Sequence, residues 1–317
     1  MKIVILDGHA VNPGDLSWDC FLPFGSITVY ENTEKHQAIQ RVEGADIVMT
    51  NKTPITRALL DACPTVKLIC VLATGYNVVD CIAARERGIP VCNVPDYGTN
   101  AVAQFTFSLL LELCNRVGHH DDLVHRGDWT TCPSFCFWDT PQMELYGKTF
   151  GIIGFGRIGR AVGKIAAAMG MEVLAYNRSR HPEGERIGKY VDLDTLLAKA
   201  DILSLHCPLT PENTGMVNRE FLQKMKDGVI LLNTARGGLL DEQAVADALR
   251  TGKLRCAAVD VVSREPIEEN NPLLSAPNCI ITPHMAWAPI ETRQRILDCT
   301  VASIRAYLAG APINTVN

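Results

Sequence analysis

Short runs of β-branched and aliphatic residues alternate with helical patterns along the chain. In the first third, strands are expected near residues 3–7, 27–30, 46–50, 68–73 and 91–94, with helical segments such as 55–62 and 78–87 between them. Several of these runs are apolar at every position, as parallel strands covered on both faces are. Strands separated by helices imply right-handed βαβ units and a parallel sheet. A longer helical pattern follows at about 100–114. Phe105, Phe107, Leu109, Leu110, Leu111 and Leu113 make it apolar nearly all round, so it is expected to be buried between layers, domains or subunits.

From about 115 to 146 the periodicity stops. This stretch carries Trp129, Phe135, Phe137 and Trp138 together with Pro133 and Pro141. A long irregular segment in a compact protein is usually functional or an interface arm. Alternation resumes at Phe150, with strands expected near 150–154, 172–177, 202–207, 229–235, 257–262 and 279–282. These make a second, larger parallel sheet. A final helix carries Ile296, Leu297, Thr300, Val301, Ile304, Tyr307 and Leu308 on one stripe. It has no third sheet to cover, so it is expected to fold back onto the first domain and make that domain discontinuous.

Composition narrows the class. A chain of 317 residues fits two domains at ~150 residues each. Hydrophobic residues are 47% and charged residues 21%, which excludes a disordered chain. A net charge of −5 argues against nucleic acid as a partner. No apolar run approaches the ~18 residues of a membrane span, and no leader pattern precedes the first strand, so a cytoplasmic location is expected. The twelve cysteines are scattered. Cys132 and Cys136 have no matching second pair, so we expect free, mostly buried thiols and no metal site.

Gly154-Phe155-Gly156-Arg157-Ile158-Gly159 is a G-x-G-x-x-G between an apolar strand and a helical pattern. That context is what a dinucleotide fingerprint requires. Gly154 permits the tight turn, Gly156 lets the backbone approach a pyrophosphate, and Gly159 lets helix and strand pack closely. A helix N-terminus then offers N–H donors to the phosphates. An acidic residue usually stands ~20 residues on, to hold the ribose 2′-hydroxyl. Here Asn177 stands there, followed by Arg178, Ser179 and Arg180. No carboxylate repels a 2′-phosphate and two guanidinium groups are at hand. The expectation favours NADP(H), with NAD(H) left open.

Arg236, Glu265 and His284 each follow the end of an expected strand in the second sheet. Ligands of open α/β sheets bind outside the carboxyl ends of the strands. Reduction of a 2-oxo acid needs a cation for the carboxylate, a proton for the carbonyl oxygen and a hydride. Arg236 suits the first task, and His284 the second, with Glu265 fixing its tautomer. His206, which also ends a strand, is the rival acid. Cys207 and Pro208 begin a loop expected over the cofactor. Asp260 falls inside the apolar run 257–262, where a carboxylate needs a partner; the nicotinamide carboxamide is a candidate.

Together, Gly154 to Gly159, Asn233-Thr234-Ala235-Arg236-Gly237-Gly238, Asp260 to Pro266 and Thr282-Pro283-His284 resemble the D-isomer-specific 2-hydroxyacid dehydrogenase family. Asn12-Pro13-Gly14-Asp15-Leu16-Ser17-Trp18, Phe137-Trp138-Asp139-Thr140-Pro141 and His284-Met285-Ala286-Trp287 resemble its glycerate dehydrogenase (hydroxypyruvate reductase) branch. The resemblance implies two doubly wound parallel-sheet α/β domains: a Rossmann-type cofactor domain, 98–287, inserted in a flavodoxin-like substrate domain, 1–97 and 288–317. It implies Arg236, Glu265 and His284 in the roles above, with Thr234, Ala235 and Asp260 at the cofactor. It places the backbone of Thr74, Gly75 and Tyr76 against the substrate carboxylate, and makes 115–146 the arm of a homodimer. The implied reaction is reversible NAD(P)H-dependent reduction of hydroxypyruvate or glyoxylate to D-glycerate or glycolate. A phosphoglycerate dehydrogenase-like enzyme and a nicotinamide-sensing corepressor-like protein remain alternatives.

Overall fold

The computed structural model describes all residues, 1–317. The chain divides into two compact units, one of Met1–Gly98 with Trp287–Asn317, the other of Thr99–Ala286.

Unit 1 is built on β1 (Lys2–Ile5), β2 (Ser26–Val29), β3 (Ile47–Thr50), β4 (Leu68–Val71) and β5 (Val91–Cys92), with helices α1 (Ala38–Val42), α2 (Arg57–Ala62) and α3 (Cys81–Glu86). All pairings are parallel, in the order β2-β1-β3-β4-β5, the flavodoxin-like order. Successive residues go to opposite faces. Ile3, Ile5, Ile47 and Met49 enter one cluster, and Val4, Leu6 and Val48 the other. This is why the strands read as unbroken apolar runs. The first cluster also takes Ile296, Leu297 and Ile304 from the last helix. Thr56 and Asp80 cap α2 and α3 by accepting the N–H groups of Leu59 (3.3 Å) and Ala83 (2.8 Å).

Unit 2 begins with α4 (Thr99–Asn115) and α5 (Val117–His125). The order then runs β6 (Thr149–Ile153), α6 (Arg157–Ala168), β7 (Glu172–Tyr176), α7 (Pro182–Glu185), β8 (Lys189–Tyr190), α8 (Leu193–Lys199) and β9 (Ile202–Leu205). It ends with α9 (Arg219–Lys224), β10 (Val229–Asn233), α10 (Glu242–Thr251), β11 (Leu254–Val259) and β12 (Cys279–Ile281). Returning to unit 1, α11 (Ile290–Leu308) closes the chain. The seven strands of unit 2 lie in the order β12-β11-β10-β9-β6-β7-β8. From β6 outward this is the doubly wound Rossmann order. One face packs Phe150 and Ile152 against Phe107 and Leu110 of α4 and Val162 and Ala166 of α6. The other packs Leu203, Leu205 and Leu231 against Leu196, Leu222, Val245 and Leu249.

Three expectations are corrected, and one strand, β8, was not expected. The stretch from 115 to 146 is not wholly irregular, because α5 occupies its start. Only Leu123 of that helix is buried, so it shows no apolar stripe to read. The two-residue edge strand β8 is too short to show a period. The strand expected over 257–262 ends at Val259, which leaves Asp260 outside the ladder. All twelve cysteines are free, but only Cys63, Cys70, Cys92, Cys114 and Cys256 are fully buried. The other seven are half-buried. No helix is long and apolar enough to cross a membrane.

Candidate functional site

The glycine turn leaves β6 with Gly154 at φ +93°. A Cβ there would lie 2.3 Å from the Cys207 nitrogen, so the turn and the loop after β9 touch through backbone. A Cβ on Gly159 would lie 2.2 Å from Gly154 O, so α6 lies against the turn that starts it. Gly156, the N-cap of α6, differs: a Cβ there meets nothing within 4 Å. The turn is therefore sealed on the protein side and open at Gly156. No acidic residue stands in the first turn of α6. This donor set fits a dinucleotide pyrophosphate.

At the end of β7, the Asn177 Oδ1 accepts the Phe155 N–H at 3.2 Å and its Nδ2 donates to Ser179 O at 2.7 Å. The side chain ties the glycine turn to the next one. Arg178, Ser179 and Arg180 are exposed there, and the Arg180 guanidinium lies 5.8 Å from the Tyr190 ring centroid. Arg157 is exposed, Ile158 half-buried.

Arg236 follows β10. Asn233, fully buried at the strand end, accepts the Ala235 N–H at 3.0 Å and donates to Arg236 O at 2.9 Å. That leaves the Arg236 side chain exposed, with Nη1 donating to Ala235 O at 2.7 Å. Thr234 is buried, its hydroxyl 3.1 Å from that of Thr106 on α4. Gly237 comes so close to the next loop that a Cβ would lie 1.9 Å from the Val262 carbonyl carbon. This approach sets the Arg236 turn against the loop carrying Glu265.

Glu265 uses both oxygens. Oε1 accepts the Val262 N–H at 3.3 Å, and Oε2 lies 2.7 Å from His284 Nδ1. Because a carboxylate only accepts, Nδ1 carries the proton and Nε2 is the ring nitrogen left for chemistry. Both side chains are partly exposed, 29% for His284 and 38% for Glu265.

His206, the rival acid, sits at the end of β9. Its Nε2 lies 2.8 Å from Ser204 Oγ, and burial pushes its pKa down to about 3, so the ring holds no extra proton near neutrality. Cys207 is half-buried beside the glycine turn and Pro208 is exposed, and burial pushes the Cys207 thiol up. The Asp260 carboxylate accepts from the Thr282 hydroxyl and from the Met285 and Ala286 N–H groups. In unit 1, Thr74, Gly75 and Tyr76 follow β4. The Thr74 hydroxyl donates to Val94 O at 2.8 Å, and Tyr76 is 41% exposed.

Sequence reasoning quoted Asn233, Gly237 and Thr282 in its motifs but gave them no role. An asparagine closing the apolar run Val229-Ile230-Leu231-Leu232 was a visible signal for the first; the other two depend on contacts between distant segments.

The family model described as the D-isomer specific 2-hydroxyacid dehydrogenase NAD binding domain matches residues 107–286. The chain is 53% identical to a hydroxypyruvate reductase of Blautia hydrogenotrophica, with all of both chains covered. It is 42% identical to a glycerate dehydrogenase of Methylorubrum extorquens, over 90% of each. Among solved structures, an acyclic imino acid reductase in complex with NADPH and D-Arg superposes with a TM-score of 0.85 at 30% identity, over the whole of both chains.

Proposed function

The chain belongs to the D-isomer-specific 2-hydroxyacid dehydrogenase family, and from that premise we propose that it reduces hydroxypyruvate or glyoxylate to D-glycerate or glycolate. It is an enzyme that reduces a small 2-oxo acid to the D-2-hydroxy acid, reversibly, with a nicotinamide dinucleotide. The observation that carries the proposal is the pairing of His284 Nδ1 with Glu265 Oε2 at 2.7 Å.

A bound nicotinamide dinucleotide supplies the hydride. The chain supplies the rest. His284 holds a proton at Nε2 and gives it to the carbonyl oxygen, while Glu265 stabilises the imidazolium through Nδ1. Arg236 offers a two-pronged donor for the substrate carboxylate and polarises the carbonyl beside it. The backbone N–H groups of Thr74, Gly75 and Tyr76 are assigned to substrate binding; the resemblance to the family supports this.

The finer cofactor assignment is NADP(H) ahead of NAD(H). It is supported by Asn177 in place of a carboxylate and by exposed Arg178, Ser179 and Arg180. We also assign the cofactor to unit 2 and the substrate-binding backbone to unit 1. Self-association into a homodimer through 115–146 is supported by Trp129, Phe135 and Trp138, which are 50%, 90% and 64% exposed.

The test is a kcat/KM panel of hydroxypyruvate, glyoxylate, pyruvate and phosphohydroxypyruvate, each with NADPH and NADH. Turnover greatest with hydroxypyruvate or glyoxylate supports the proposal. Absence of turnover with every acid overturns it.

A further inference from the structure

Thr106 stands in the second turn of α4 and is 0% exposed. Every other buried side chain of that helix is aliphatic, aromatic or a thiol. Threonine is a poor helix former. Valine has the same shape and would pack beside Ala103, Phe107 and Leu110 with no hydroxyl to satisfy. The hydroxyl is what sets this position apart.

That hydroxyl is engaged twice. Thr106 Oγ1 donates to Val102 O at 2.8 Å, one turn back in the helix, and lies 3.1 Å from Thr234 Oγ1. A hydroxyl carries one proton. The Thr106 proton is directed at Val102, so the proton between the two threonines comes from Thr234, and Thr106 accepts it. The buried Thr234 side chain is thus aimed at α4.

Thr234 opens the turn that carries Arg236. The Ala235 N–H is held by Asn233 Oδ1 at 3.0 Å, and Ala235 O accepts from Arg236 Nη1 at 2.7 Å. The guanidinium therefore rests on the carbonyl of the residue next to Thr234. A shift of Thr234 away from α4 carries that carbonyl with it. Gly237 holds the other end of the turn, against Val262.

We infer that Thr106 is a positioning residue for Arg236: by accepting the Thr234 hydroxyl it fixes residues 234–236 against α4 and sets where the guanidinium meets the substrate carboxylate. The inference rests on Arg236 holding that carboxylate in the proposed reduction.

The experiment compares wild type with Thr106→Val, Thr106→Ser, Thr234→Val and the double variant Thr106→Val/Thr234→Val. It measures kcat and KM for hydroxypyruvate, the melting temperature, and the 15Nε resonance of Arg236 without cofactor. In Thr106→Val the Thr234 hydroxyl loses its acceptor while the shape of the site is kept. There kcat/KM is expected to fall by roughly 10–100-fold, the loss that a displacement of about 1 Å brings, through a higher KM and a lower kcat together. Thr106→Ser keeps the acceptor and should stay within about threefold of wild type. The double variant leaves no unpaired buried donor, so its melting temperature should return toward wild type. Its kcat/KM should stay as low as in Thr106→Val, because nothing then ties Thr234 to the helix. The losses of the two single variants should therefore not multiply.

Unchanged kcat/KM in Thr106→Val overturns the inference. So does a double variant whose activity recovers along with its melting temperature, or one in which the two losses multiply. If Thr106→Val does not fold, Thr234→Val takes its place, and wild-type kcat/KM there overturns the inference. Failure of the underlying reading is distinct, because wild type itself then shows no turnover. The Arg236 resonance decides the positioning role in that case: a signal moved in Thr106→Val and restored in Thr106→Ser upholds it, and an unmoved one overturns it.

Discussion

Glu265 Oε2 lies 2.7 Å from His284 Nδ1 while Oε1 is held by the Val262 N–H. The carboxylate is thus oriented by its own loop before it meets the ring. Replacing His284 by Ala removes the proton donor and is expected to lower kcat for hydroxypyruvate reduction by roughly 10²–10⁴-fold. Glu265→Gln keeps a hydrogen-bond acceptor but withdraws the negative charge that stabilises the imidazolium. Reduction uses the charged ring as proton donor, so kcat should fall in Glu265→Gln as well, by less than in His284→Ala. Steady-state kinetics on the two variants check both, and an unchanged kcat in Glu265→Gln refutes the electrostatic role.

His206 gives an acid-stability prediction of definite sign. Its pKa is about 3 in the folded protein, against roughly 6.5 in an unfolded chain. Between those values the unfolded state binds the extra proton and the folded state does not. The stabilisation is therefore complete above about pH 6.5 and lost as pH falls toward 3, by at most about 1.4 kcal/mol per pH unit. His206→Gln, which cannot be charged, should lose less stability than wild type between pH 7 and pH 5 in urea melts. Its kcat/KM profile should keep the wild-type limbs, because the proposed acid is His284.

Cofactor choice turns on Asn177. Asp at this position is the same size and can still accept the Phe155 N–H that Asn177 Oδ1 accepts at 3.2 Å. It adds a charge that repels a 2′-phosphate and accepts from a 2′-hydroxyl. Asn177→Asp should shift the NADPH/NADH ratio of kcat/KM toward NADH by roughly 10-fold or more, about 1.4 kcal/mol. An unchanged ratio would show that Arg178 and Arg180 do not meet the 2′-phosphate.

The α/β class was legible because parallel strands are buried on both faces and therefore spell continuous apolar runs, such as Val229 to Leu232. The glycine turn was legible because its spacing is local. What could not be read depends on where distant segments meet. Asp260 looked like an orphan carboxylate because its donors lie 22 to 26 residues away, at Thr282, Met285 and Ala286. The helix α5 was invisible because one buried residue makes no stripe. Gly237 stood beside Arg236 in plain view, but only the approach of Val262 shows why a side chain is excluded there.

The glycines separate a binding role from a folding role. A Cβ at Gly156 meets nothing within 4 Å, whereas one at Gly237 lies 1.9 Å from the Val262 carbonyl carbon. Gly156→Ala should therefore leave the melting temperature within about 2 °C of wild type while raising KM for NADPH, since the added methyl stands where backbone and pyrophosphate would meet. Gly237→Ala must push the Arg236 turn away from the Glu265 loop. It should cost roughly 1–3 kcal/mol, the usual penalty of overpacking, and lower kcat as Arg236 moves. Thermal melts and steady-state kinetics on the pair check this. If Gly156→Ala melts early and binds NADPH normally, the open side of the turn is not where the cofactor sits.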